Sequence, residues 1–206
     1  MRLHLVRHGR TPSNVEQVLD TTFPGAGLDA VGVAQAEALV RRFDGVPLEG
    51  LFVSDLPRTQ QTISPLAAAR GLEPTVLPGL REIQAGDEEL SRDYGPYISV
   101  LRNWAVGDGR AAMPNGDSRA SFFSRYDEAV ATIGAAGHEH ALLVSHGAAL
   151  RMWVGATASG LDPGQAAHQV MGNTAVIVLE GEPGDWHFVS WDSGYDVAGS
   201  DGDPID

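Results

Sequence analysis

Two stretches of this chain end on the same pair of residues. Leu5-Val6-Arg7-His8-Gly9 and Leu143-Val144-Ser145-His146-Gly147 are both apolar runs that stop at His-Gly. If each run is a strand of one parallel sheet, both imidazoles arrive at the edge where open α/β folds bind ligands. Glycine after each histidine lets the backbone turn tightly and approach a ligand closely. Arg7 adjoins the first histidine, and Thr11 and Asn14 follow on the outgoing loop. Guanidinium, hydroxyl and amide are the donors that a phosphoryl group accepts from. A third stretch, Phe52-Val53-Ser54-Asp55-Leu56-Pro57-Arg58, reads as a strand, a capping Ser/Asp pair and an arginine in a first helical turn. A cation there opposes the helix dipole unless an anion joins it, so Arg58 is a candidate phosphate clamp.

Elements must hold these groups in place. Short strands are expected at 3–6, 51–53, 74–77, 141–145, 174–179 and 187–191, the last two joined by the turn-rich Gly181-Glu182-Pro183-Gly184-Asp185. Asp29 can cap a helix through Phe43, and Ser118 another to about Ile133. Pro65 is expected to end or kink the helix that follows Asp55. This alternation predicts an α/β domain over 1–191, with a largely parallel sheet and a late hairpin at one edge. The irregular segment 87–116, with Tyr94, Tyr97 and Trp104, reads as an insertion covering the site. The Asp/Gly-rich stretch 192–206 reads as a solvated tail rather than a metal loop.

Composition removes several kinds of chemistry. At 206 residues the chain is long enough to bury a core. It has no cysteine, which excludes disulfides, thiolate metal sites and cysteine-nucleophile phosphatases. All 14 basic residues are arginine, so a P-loop lysine and a Schiff-base lysine are both missing. A net charge of −13 argues against a nucleic-acid or anionic-membrane partner, though not against a small anion held in an arginine pocket. No apolar run is long enough to span a bilayer, and no signal-peptide cleavage site follows the first strand, so a cytoplasmic location is expected. His138-Glu139-His140 has alternating metal-ligand spacing but reads as a polar turn before a strand.

Five segments in order resemble the histidine phosphatase superfamily, the phosphoglycerate mutase-like branch 1. Arg7-His8-Gly9-Arg10-Thr11-Pro12-Ser13-Asn14 is similar to its Arg-His-Gly-x-Thr-x-x-Asn signature. Leu28 to Ala36, Ser54 to Thr62, Leu80-Arg81-Glu82-Ile83 and Val144-Ser145-His146-Gly147 resemble its later segments. The resemblance implies a three-layer fold and a metal-independent phosphomonoesterase that uses no cofactor. It implies that His8 attacks phosphorus, that Arg7, Arg58 and His146 surround the phosphoryl oxygens, and that Thr11 and Asn14 add neutral hydrogen bonds. Glu82 would protonate the leaving oxygen from a pKa raised by burial, with Glu88 and Glu89 as rivals. Arg10 stands where the family often has Glu or Gln, and it is a candidate for a second anionic group of the substrate. Phe23 is a candidate substrate-binding residue that would help choose the substrate.

The expected partner is a small phosphorylated metabolite, with a homodimer left open. Cofactor-dependent phosphoglycerate mutase is the first alternative, disfavoured by the short chain and the few arginines between 87 and 116. A non-catalytic phosphate- or phosphoprotein-binding protein on the same fold is the second.

Overall fold

The computed structural model describes residues 1–194. In chain order its main elements are β1 (Arg2–Arg7), α1 (Pro12–Val15), α2 (Ala30–Arg42), β2 (Gly50–Val53), α3 (Pro57–Arg70), β3 (Thr75–Val76), α4 (Gly95–Ala105), α5 (Arg119–Ala135), β4 (His140–Ser145), α6 (Gly147–Thr157), β5 (Ala158–Ser159), α7 (Pro163–His168), β6 (Val176–Glu182) and β7 (Asp185–Asp192). They form one seven-stranded sheet in the order β3-β2-β4-β1-β6-β7-β5. The pairs β1–β4, β2–β4, β2–β3 and β5–β7 are parallel, while β6 runs antiparallel to both β1 and β7. The late hairpin is therefore β6–β7, although the short β5 lies outside it and forms the actual edge.

Alternation along the central strands builds the three layers. Leu3 and Leu5 of β1 face a core with Trp104 of α4, Phe122 and Tyr126 of α5, and Trp153 of α6. Val6 faces the opposite core, with Leu39 of α2 and Ile63 and Leu66 of α3. Asp29 caps α2 by accepting from the Gly32 amide at 2.8 Å, and Ser118 caps α5 in a reciprocal box with Ser121.

Four expectations change. Helix α3 continues through Pro65. Pro65 is only half-buried and Gln61, whose carbonyl loses its partner, is exposed, while Ile63 and Leu66 anchor the inner face. The cap of α3 is Leu56, which has no side-chain cap bond, rather than Ser54 or Asp55. Asp55 pairs with Arg81 instead. Segment 87–116 is not wholly irregular, since it contains α4. Strand β7 extends to Asp192, and the rest of the expected acidic tail lies outside the described residues from position 195 on. Among the described residues no helix is long and apolar enough to cross a membrane.

Candidate active site

Strands β1 and β4 are neighbours in register, with Arg7 opposite Ser145. The next residue of each is the histidine. The His8 amide donates to the Ser145 carbonyl at 3.0 Å, and the two imidazole centroids lie 5.3 Å apart. Gly9 is required by close approach: a Cβ there would stand 2.7 Å from the Gly32 carbonyl oxygen at the start of α2. Thr62 of α3 fixes the same turn, accepting from the Gly9 amide at 2.9 Å and donating to the Arg58 carbonyl at 2.7 Å.

The two rings have different environments. His8 Nδ1 lies 2.8 Å from the Gly9 carbonyl oxygen. A carbonyl only accepts, so Nδ1 carries the ring proton and Nε2 keeps its lone pair. Burial, and then the charges of Arg58 and Arg7, hold the His8 pKa well below its ordinary value, so the ring is neutral. His146 is fully buried. Its Nδ1 accepts from Arg58 Nε at 3.3 Å, and its Nε2 lies 3.1 Å from Ser54 Oγ. A guanidinium only donates, so Nε2 is the protonated nitrogen and Ser54 is its acceptor. Burial, followed by Arg58 and His8, keeps this ring neutral too. The sequence reading places His146 among the donors around phosphoryl oxygens. Here both its nitrogens are engaged, by Arg58 and by Ser54, and it is not among the residues that line the cleft.

Arg7 is buried and donates through Nη1 to the Met171 carbonyl. Arg58, in the first turn of α3, donates through Nη2 to the Asp20 carbonyl at 2.8 Å. Its Nη1 stands 3.6 Å from Asp20 Oδ1, too far for a hydrogen bond. Burial holds the Arg58 pKa below its ordinary value, opposed by Asp20, Glu82 and Glu89.

Glu82 is buried. Its Oε1 accepts from the amides of Ile83 (2.8 Å) and Ala149 (2.7 Å), and its Oε2 from that of Ala148 (3.1 Å). The last two open α6, so the carboxyl lies at a helix N-terminus. Burial nevertheless outweighs these three amides and raises its pKa. Of its rivals, Glu89 binds the amides and hydroxyls of Thr21 and Thr22. Glu88 does not line the cleft.

These groups surround a small cleft with about 60 Å³ of open space, lined by Arg7, His8, Thr11, Asn14, Arg58 and Glu82, among others. Thr11 and Asn14 cap each other across the first turn of α1, and Asn14 Oδ1 also accepts from Asn173 Nδ2 at 3.2 Å. Asn14 Nδ2 has no hydrogen bond among the described residues and remains available as a donor. Tyr94 and Tyr97, from the start of α4, form part of the wall.

Two of the expected substrate-binding residues are not in this wall. Arg10 Nε is bound to Asp29 at 2.8 Å. Phe23 is 59% exposed, with the Arg81 guanidinium 5.6 Å from its ring centre. Sequence reading also passed over Asp20, Ser54 Oγ, Thr62 and Asn173. Ser54 and Thr62 fall inside a segment quoted for the family resemblance, which was the available signal for them; Asp20 and Asn173 lie outside the matched segments. Among the described residues no three His, Asp or Glu side chains are grouped to hold a metal ion.

Comparison with known proteins places the whole chain. Over 211 positions the chain is 35% identical to the PE-PGRS family protein PE_PGRS11 of Mycobacterium tuberculosis, covering 92% of this chain but only 36% of that protein. It is 29% identical to the probable phosphoglycerate mutase GpmB of Yersinia enterocolitica, covering 93% and 90% of the two chains. The crystal structure of the alpha-ribazole phosphatase from Shigella flexneri superposes with a TM-score of 0.75 at 26% identity, covering 94% and 96%. A family model, the histidine phosphatase superfamily (branch 1), matches residues 3–194, and the chain belongs to that superfamily.

Proposed function

We propose that this protein is a phosphomonoesterase that hydrolyses a small phosphorylated metabolite through a phosphohistidine at His8, without a metal. The observation that carries this reading is the engagement of Nδ1 by the Gly9 carbonyl, which leaves a neutral imidazole with its Nε2 lone pair for the cleft.

The steps follow from the residues present. Nε2 of His8 attacks phosphorus, the bond from phosphorus to the ester oxygen breaks, and Glu82 gives its proton to that oxygen. Arg7 and Arg58 offset the charge spread over the phosphoryl oxygens, and Asn14 Nδ2 adds a neutral donor. The Glu82 carboxylate then takes a proton from water, whose oxygen attacks phosphorus. The P–N bond breaks, releasing phosphate and returning His8 to its neutral form. His146 and Ser54 hold Arg58 in position throughout.

The test is p-nitrophenyl phosphate hydrolysis at pH 5 to 8 in EDTA, combined with rapid acid-free quenching to trap the intermediate. Turnover in EDTA, phosphorus on His8 and loss of both in His8→Ala are expected. Phosphorus on another side chain, or activity surviving in His8→Ala, would refute the mechanism. The names of relatives such as GpmB favour one second reading, a phosphoglycerate mutase. Rapid conversion of 3-phosphoglycerate to 2-phosphoglycerate in the presence of 2,3-bisphosphoglycerate would establish it in place of hydrolysis.

A further inference from the structure

Beyond the phosphoryl-binding groups, the cleft is short of cations. Arg7 and Arg58 are the only cationic residues lining it among those described, and on the phosphatase reading both are taken up by the phosphoryl group. Three further arginines are matched with carboxylates: Arg10 with Asp29, Arg81 with Asp55, and Arg92 with Glu16. An additional acid, Asp20, lines the cleft instead.

Asp20 is held firmly by one oxygen only. Its Oδ2 accepts from Ser13 Oγ at 2.7 Å and from the Ala26 amide at 2.8 Å. Its Oδ1 accepts no hydrogen bond among the described residues, and Arg58 Nη1 at 3.6 Å is its nearest cation. An anchored carboxylate whose second oxygen accepts no hydrogen bond attracts a donor or a cation, and repels a second anion.

Resting on the phosphatase reading above, we propose that Asp20 sets substrate choice. It selects monoesters whose alcohol part presents an ammonium or hydroxyl group, and rejects those with a second carboxylate or phosphate. Phosphate fills the pocket of Arg7 and Arg58, while the substituent meets Asp20 Oδ1.

Two measurements separate this proposal from the phosphatase reading. Turnover of p-nitrophenyl phosphate by the unaltered protein tests hydrolysis alone. Calorimetric affinities of O-phosphoethanolamine and 3-phosphoglycerate for the His8→Ala protein, which cannot turn either over, test selection alone. O-phosphoethanolamine should bind at least about tenfold more tightly, as expected for a unit charge facing a carboxylate across a half-solvated cleft. Adding Asp20→Asn, which keeps an acceptor for Ser13 and Ala26, should bring the ratio within about threefold. Asp20→Ser should do the same, and gives the answer if the Asn protein does not fold. An unchanged ratio, or equal weakening of both ligands, would overturn the proposal. Absence of p-nitrophenyl phosphate turnover would refute the phosphatase reading and leave the affinity ratio to decide selection by itself.

Discussion

Lowering the pH from 7.5 to 5.5 should weaken the fold through its paired histidines, and replacing one should relieve a calculable part of the loss. His8 and His146 are buried, and each has a folded pKa well below the usual 6.5. A depressed histidine pKa means that the unfolded chain takes up the proton first. Stability is thus full above about pH 6.5 and falls as the pH drops below it. At pH 5.5 each imidazole held neutral costs on the order of 1 kcal/mol relative to pH 7.5, and the pair roughly twice that. Glu82 acts in the opposite sense. Its raised folded pKa contributes stability that is full below about pH 4.5 and is lost as the pH rises through the folded value. That contribution is common to variants that keep Glu82, so it cancels in a comparison. In His8→Asn the side-chain amide can still donate to the Gly9 carbonyl, and one titrating ring is gone. Urea unfolding at both pH values should show the variant losing less stability than the parent on acidification, by on the order of 1 kcal/mol. Equal losses would show that His8 is not held neutral, and would remove the basis for treating Nε2 as a free lone pair.

Other perturbations probe the supports. Glu82→Gln should cut kcat on alkyl phosphates by about 10²- to 10³-fold and on p-nitrophenyl phosphate by less than about tenfold, because that leaving group needs little protonation. Equal losses in steady-state assays would reject Glu82 as the acid. Thr62→Val strands the buried Gly9 amide and should cost about 1–3 kcal/mol in urea unfolding, together with a fall in kcat. Gly32→Ala would place a Cβ 2.1 Å from the Arg10 carbonyl oxygen, so the 8–11 turn must shift. A thermal midpoint several degrees lower is expected, and an unchanged one would refute the packing argument.

The residues most legible in the sequence were those whose role follows from local position. An apolar run ending in His-Gly gives the strand, its end and the turn together, and pairing β1 with β4 then brings the rings close. The Asp29 and Ser118 caps were legible for the same reason. Side-chain direction was less so. Arg10 lies within the signature and Phe23 close to it, yet their orientations are set by Asp29, 19 residues from Arg10, and by Arg81 on another loop. Helices α4 and α6 were hidden for different reasons. The first sits in a segment rich in turn residues. The second, buried almost all round, lacks the polar face that marks a helical period. Asp20 belongs to no motif, and only the fold shows that it borders the cleft.

The position of β1 between β4 and β6 also bears on how the protein is made. A ribosome exposes Arg7 and His8 early, but their neighbours come late: the His8 amide needs Ser145, the Arg7 guanidinium needs Met171, and the His8 carbonyl needs Asn173. A nascent chain stopped at residue 160 would carry all five signature segments and still lack a finished centre. The last third of the polypeptide therefore acts as the step that commits the protein to its finished form, and loss of β6 should be as damaging to function as loss of His8.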